Sequence, residues 1–167
     1  MVSGIRFARP EDLEAVNALR EQVNELHVRH RPDVFKEGFP GELRDYIHTV
    51  YADPDKKILV CEAEGRICAF ALIHHVLRPE NPYMHPREYL DIDEFCVDRA
   101  FRRKGIGTGM IRYIRDYAER EGIRRLELNM WEFNQSALKF YESVGFVTYR
   151  RYMEMRCEPE KAGEDVS

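Results

Sequence analysis

The chain has 167 residues, 44% of them apolar, and a net charge of −4. That length and apolar fraction suit one domain with a real core. The negative balance argues against a general nucleic-acid or membrane-surface binder, which would carry a basic face. Cys61, Cys68, Cys96 and Cys157 are scattered and form no CxxC pair, which sets aside zinc and redox motifs. Three of them fall in apolar runs and read as buried thiols. No signal peptide or long apolar span is visible, so the expected location is cytoplasmic.

In chain order, residues 5–8 read as a first strand. Pro10 suits a first helical turn, with Glu11, Asp12 and Glu14 placed for the dipole. Leu13, Val16, Leu19, Val23 and Leu26 then recur at helical spacing, and Arg31-Pro32 ends the pattern. A loop over 32–41 leads to a second helix over 43–51. Residues 57–63 and 66–77 form a hairpin across Glu64-Gly65. Three prolines between 79 and 86 stop the second of these strands, and 89–97 is the next. Ile106, Met110, Ile114, Tyr117 and Ala118 stripe a helix that ends near Gly122. A strand over 126–131, a helix over 135–143 and one or two strands over 146–156 complete the pattern. Residues 1–157 are expected to form one domain, followed by a polar tail over 158–167.

Arg102-Arg103-Lys104-Gly105-Ile106-Gly107-Thr108-Gly109 lies between a strand and a helix. Its glycines let backbone approach a ligand closely, and a helix N-terminus offers unpaired N–H groups and a positive dipole end. With three cations beside it, the segment reads as a pyrophosphate cradle. A side chain at Gly107 is expected to fill the pyrophosphate's space. A nucleotide P-loop would need Gly-Lys-Ser/Thr, and a Rossmann fingerprint G-x-G-x-x-G directly after its strand; neither is present.

Arg102-x-x-Gly105-x-Gly107 resembles the acetyl-CoA signature of the Gcn5-related N-acetyltransferase (GNAT) family. The block Asn134-Gln135-Ser136-Ala137-Leu138-Lys139-Phe140-Tyr141-Glu142-Ser143-Val144-Gly145-Phe146 is similar to that family's N-x-x-A-x-x-F-Y-x-x-x-G-F segment. The resemblance covers residues 57–155. It implies a mixed α/β fold, with a central, mostly antiparallel twisted sheet of about six to seven strands, splayed at the cofactor site, and helices on both faces. It also implies acetyl-CoA as co-substrate. Backbone of Phe95, Cys96 and Val97 would pair with the pantetheine arm. N–H groups from Arg103 to Thr108, with Gly105, Ile106, Gly107 and Gly109 shaping the turn, would take the pyrophosphate, and Arg102 and Lys104 would add charge. Asn134 and Ala137 of the second motif would bind the cofactor, Asn134 by a side-chain hydrogen bond, and Tyr141 would lie at the thioester sulfur. Phe140 reads as core.

The reaction implied is direct attack of a primary amine on the acetyl carbonyl. The amine must lose a proton, since an alkylammonium has a pKa of about 10. The carbonyl oxygen needs a donor, for which the family offers the Val97 N–H, and the departing thiolate needs an acid, for which Tyr141 fits. For the base, strict alternation places Asp91, Asp93, Phe95 and Val97 on one face and Ile92, Glu94 and Cys96 on the other. Histone-type relatives carry a catalytic Glu at the position of Asp91, and diamine-type relatives carry an acidic pair at Asp93 and Glu94. All three carboxylates therefore stay candidates. Specificity is expected in the loops 27–41 and 74–89, where Phe35, Phe39 and Tyr83 either line an amine pocket or pack. His74, His75 and His85 fit no standard zinc spacing, so no metal is expected. The acceptor implied is a small cationic molecule. A protein N-terminus or lysine stays open as the alternative, as does a non-catalytic acyl-CoA-binding module. Neither a nucleic-acid nor a membrane partner is expected, and family members are often homodimers.

Overall fold

The computed structural model describes residues 2–157, so the stretch 158–167 lies outside the described residues. The chain runs β1 (Val2–Phe7), a 3-10 turn (Pro10–Asp12), α1 (Leu13–His30), α2 (Gly41–Ala52), β2 (Lys56–Ala63) and β3 (Arg66–Arg78). It continues through β4 (Arg87–Val97), a second 3-10 turn (Arg99–Phe101), α3 (Ile106–Arg120), β5 (Leu126–Leu128) and α4 (Gln135–Ser143). The β2–β3 turn closes through Glu64 and Gly65, both left-handed, at φ 54° and 74°. That double left-handed geometry matches the twist of the two flanking strands.

The sheet order is β1-β2-β3-β4-β5, with the first four strands antiparallel and β5 parallel to β4. Its faces carry separate cores. Leu59, Cys61, Ala71, Ile73, Leu90 and Ile92 pack against Ile106, Met110, Ile114 and Ala118 of α3. Ile58, Val60, Phe70, Leu72 and Cys96 pack against Leu13, Val16 and Leu19 of α1 and Ile47 and Val50 of α2. The alternation along β2 feeds one layer with odd positions and the other with even ones. No helix among the described residues is long and apolar enough to cross a membrane.

Two expectations about strands need correction. Among the described residues the sheet has five strands, not six or seven, and residues 146–156 form none. Alternation there has no core to face: Val147, Tyr149, Met153 and Met155 all point into solvent. β5 also stops at Leu128 rather than Trp131, because a turn from Trp131 C=O to the Asn134 N–H (3.0 Å) leads into α4.

A third correction concerns β4. Its register with β3 runs Ala71↔Phe95, Leu72↔Glu94, then Ile73↔Ile92. Asp93 is the extra residue, a β-bulge that reverses the facing of everything beyond it. Leu90 and Ile92 pack toward α3 upstream, and Phe95 and Val97 do so downstream. Asp91, Glu94 and Cys96 consequently share the α1 side. The unbroken alternation that grouped Asp91 with Phe95 and Val97 does not hold.

Candidate active site

β5 pairs with β4 only through Leu90↔Leu126, Asp91↔Glu127 and Ile92↔Leu128. Beyond Ile92 that edge of β4 is open. The Asp98 N–H donates to Cys68 C=O at 2.8 Å, which makes Val97 and Ala69 a non-hydrogen-bonded pair. By alternation, Cys96 spends its backbone on β3, whereas Phe95 and Val97 turn theirs to the open edge. An added strand-like arm therefore finds Phe95 and Val97, but not Cys96. The Val97 C=O accepts from Arg102 Nε at 3.1 Å, which fixes the guanidinium at this seam. The Cys96 thiol is buried, and burial pushes it up to about 11, so it is a packing group and not a nucleophile.

The glycine loop follows. Arg103 and Gly105 are both left-handed, at φ 61° and 78°. This geometry costs Gly105 nothing and strains Arg103. α3 makes its first bond from the Gly109 N–H to Gly105 C=O (3.0 Å). No backbone N–H from Arg103 to Thr108 meets an acceptor among the described residues. These free donors, at the positive end of a 15-residue helix, fit a pyrophosphate. Lys104 Nζ lies 4.7 Å from the Phe101 ring.

The other two glycines have different work. A Cβ on Gly107 would sit 3.0 Å from Phe140 Cζ, and one on Gly109 would sit 3.3 Å from Ile5 Cδ1. Gly107 lets α4 approach α3, and Gly109 lets β1 approach it. The space beside Gly107 is filled by Phe140, so a side chain there would meet this ring first. Ile106 is buried in the α3-side core.

On α4, the Asn134 side chain accepts from the Ala137 N–H at 3.2 Å and caps the helix, leaving its Nδ2 for other partners. Phe140 stacks on Phe95 (5.9 Å), and Tyr141 meets the same ring edge-on (6.2 Å) and Phe146 as well (5.6 Å). Tyr141 is thereby held against the open half of β4. Its hydroxyl makes no hydrogen bond to a described residue, and burial pushes it up to about 12.

The three carboxylates part company. Glu94 takes Arg20 Nε at 2.9 Å; the same guanidinium donates to Asn17 Oδ1 (3.0 Å) and Leu43 C=O (2.6 Å), with 7% of the Arg20 side chain exposed. Glu94 thus ties β4 to α1 and α2. Asp91 and Asp93 stand together at the bulge. Burial first, then the charge and hydrogen bond of Asp93, then the Glu127 charge, push the Asp91 carboxyl up to about 7.

Sequence reasoning missed one feature and saw only Phe35 of another. One is Glu127, held by Arg87 and by the Tyr149 hydroxyl (2.7 Å) beside Asp91. The other is an aromatic cluster joining α1 to the loops after α1 and β5. His27 stacks on Phe35 (4.8 Å), His30 on Phe133 (4.6 Å), and Phe35 meets Trp131 (5.4 Å). Burial and then the His30 charge hold His27 below its ordinary value. Phe39 lies under the Arg20 and Arg44 guanidinium groups. Tyr83 is 92% exposed and lines nothing, and His75 pairs with Glu88 (2.9 Å).

The open edge at Phe95 and Val97, the free N–H groups at the start of α3 and Tyr141 packed on Phe95 are the elements of the candidate site. The profile of the Acetyltransferase (GNAT) family matches residues 20–146, and the chain belongs to that family. Among solved structures of this fold, the aminoglycoside N-acetyltransferase AAC(6')-Iy has been crystallised with CoA. An uncharacterized N-acetyltransferase of Methanocaldococcus jannaschii, MJ1207, is 42% identical over 60 residues, 36% of this chain and 26% of that one. The ribosomal protein bS18-alanine N-acetyltransferase of Escherichia coli K12 is 29% identical over 89 residues, 52% of this chain and 53% of that one. The chain thus spans about a quarter and about half of these curated relatives' lengths. A mutant of the BH1408 protein of Bacillus halodurans superposes with a TM-score of 0.88 at 32% identity, covering 92% of this chain and 98% of the other. AAC(6')-Iy, crystallised with the bisubstrate analogue CoA-S-monomethyl-acetylneamine, shares the fold with a TM-score of 0.72 at 16% identity, over 93% and 98% of the two chains.

Proposed function

We propose that the protein moves an acetyl group directly from acetyl-CoA to a primary amine of a small cationic acceptor. The observation that carries this reading is the juxtaposition on β4 of an open edge at Phe95 and Val97 with the paired carboxylates of Asp91 and Asp93. Bound acetyl-CoA supplies an activated thioester carbonyl. The backbone of Phe95 and Val97 binds its arm, and the N–H groups at the start of α3 bind its pyrophosphate, with Arg102, Arg103 and Lys104 adding charge. The Asn134 Nδ2 is free to donate to it, and the Val97 N–H receives the charge that develops on the carbonyl oxygen.

The Asp91–Asp93 pair draws in the ammonium and takes its proton, directly or through a water. A carboxyl raised to about 7 is matched to that task at neutral pH. The amine nitrogen bonds the acetyl carbon as the carbon–sulfur bond breaks. Tyr141, protonated at neutral pH, returns a proton to the sulfur. Glu94 positions β4 through Arg20. A cytoplasmic location belongs to the same proposal and rests on the free thiols of Cys61, Cys68 and Cys96.

A second acceptor class, a protein or peptide amine, is favoured by the similarity to an enzyme named for ribosomal protein alanine acetylation. Thiol release from acetyl-CoA over a panel of polyamines, aminoglycosides, amino acids and peptides decides between them. Turnover confined to small polycations supports the proposal. Turnover confined to peptides replaces its acceptor class, and tight acetyl-CoA binding without turnover on any amine replaces the enzyme with a binding module.

A further inference from the structure

Asp91 has charged neighbours on its face of the sheet. The registers set His74 of β3 opposite it and Lys56 of β2 beyond, with Glu127 of β5 on its other side. Leu126 and Leu128 pack toward α3, so Glu127 turns to the α1 side as Asp91 does. Paired strands lie about 4.8 Å apart, so Asp91 and Glu127 are immediate neighbours. Glu127 is also closely confined. Its side chain is 10% exposed. Arg87 donates to Oε1, the Arg125 guanidinium lies 3.7 Å from that oxygen, and the Tyr149 hydroxyl donates to Oε2 at 2.7 Å. Arg87 is itself seated over the Tyr89 ring (5.2 Å). So held, Glu127 is a fixed charge and not a proton carrier. No step of the proposed reaction uses it.

We infer that Glu127 is a positioning residue for the reaction: clamped by Arg87 and Tyr149, its charge sets how tightly the neighbouring Asp91 holds a proton. The inference rests on the reading of Asp91 as the base. A like charge at this separation favours the protonated carboxyl, and Glu127 stands among the groups that push Asp91 up, after burial and Asp93. Arg87 works against it, because a cation on Glu127 offsets the field that Asp91 feels. The proton affinity of the base is therefore a balance between an anion one strand away and the cation that grips it. The other charges on this face have partners of their own or meet Asp91 directly. Lys56 pairs with Asp53 (3.8 Å) and Glu94 with Arg20 (2.9 Å). His74 lies opposite Asp91, and Asp93 hydrogen-bonds with it. None of them is held by Glu127, so the two ends of the clamp can be altered without disturbing them.

The acid limb of kcat/KM against pH, measured with an amine that the acceptor panel identifies, reads this balance. Glu127→Gln removes the anion and leaves Arg87 and Arg125 in place, so the limb should move to lower pH by about 0.5–1 unit. Arg87→Gln leaves the anion less compensated, so the limb should move to higher pH. Glu127→Asp keeps the charge and should restore most of the wild-type position. A role confined to holding β4 against β5 would lower activity or melting temperature in both variants and move neither limb. A limb unmoved in Glu127→Gln, or moved the same way in both variants, overturns the inference. The Asp91 carboxyl itself should titrate in the same order, Glu127→Gln lowest and Arg87→Gln highest. Carbon-13 NMR follows it, with the signal identified by its loss in Asp91→Asn. Equal titration in all three proteins overturns the inference as well. That readout needs no acceptor. If Asp91→Asn keeps the acid limb, or no amine is acetylated, the proposed base fails, and the titration still decides whether Glu127 tunes Asp91.

Discussion

β4 is two different strands joined at Asp93. Upstream it is paired on both edges, and its Asp91 is half-buried beside Glu127. Downstream it keeps β3 but loses β5, and Phe95 and Val97 offer backbone to an open edge. The upstream half can hold a proton, and the downstream half can hold a ligand's main chain. One inserted residue separates the two halves and turns Asp91 and Glu94 onto one side. The comparison teaches that a carboxylate on this strand is read by its surroundings, not by its place in an alternating pattern.

The sharpest way to break this comparison is Asp91→Asn. If the upstream half carries the proton, turnover should fall by roughly 1,000-fold, within the usual range for a lost general base. Wild-type kcat/KM should rise through pH about 7 as Asp91 ionises; the variant should lose that limb and keep only the rise from the amine itself. Stability moves the opposite way. A carboxyl raised above its ordinary value favours the fold while protonated, and that contribution is lost as pH climbs toward about 7. Above that pH the variant should melt higher than wild type. A pH profile unchanged by the substitution removes Asp91 from the reaction.

Tyr141→Phe probes the downstream half. Turnover should drop by roughly 100-fold while acetyl-CoA affinity barely moves, because the ring contacts to Phe95 and Phe146 survive. Equal turnover would leave the leaving group without this acid. Glu94→Gln asks whether the third carboxylate is chemistry or tether. It strips a charge from Arg20, which is buried among Asn17, Leu43 and Glu94, and should cost about 2 kcal/mol in denaturant unfolding with kcat retained. A kcat loss as large as that of Asp91→Asn, at unchanged stability, would return Glu94 to the proton path.

The parts of this molecule that were legible in the sequence are those whose cause is local. The apolar stripe of α3, the Glu64-Gly65 hairpin and α4 between Asn134 and Gly145 stand as the pattern predicts. The bulge was not legible, because Asp93 is an ordinary strand residue until β3 supplies the register. Nor was the Glu94–Arg20 pair, whose members lie 74 positions apart. Residues 146–156 show the reverse failure. Their alternation is real, but a strand is a relation between two segments, and within the described residues the second is missing.

Gly107 carries that lesson into the cofactor loop, where a glycine that admits a ligand and one that admits a neighbouring ring look the same in sequence. Alanine in a helix is normally better than glycine by about 0.5–1 kcal/mol. Here its Cβ would stand 3.0 Å from Phe140, so Gly107→Ala should destabilise by about 1 kcal/mol as α4 is pushed from α3. In a Phe140→Leu background the obstacle shrinks, and the same substitution should turn neutral or stabilising, a coupling that a double-mutant cycle reads directly. The competing reading makes a different demand. If the space beside Gly107 belonged to the pyrophosphate, Gly107→Ala would weaken acetyl-CoA binding equally with or without the Phe140 ring. Binding that recovers together with stability in the double variant assigns this glycine to the helix contact, and leaves the cradle to Gly105 and the free N–H groups after it.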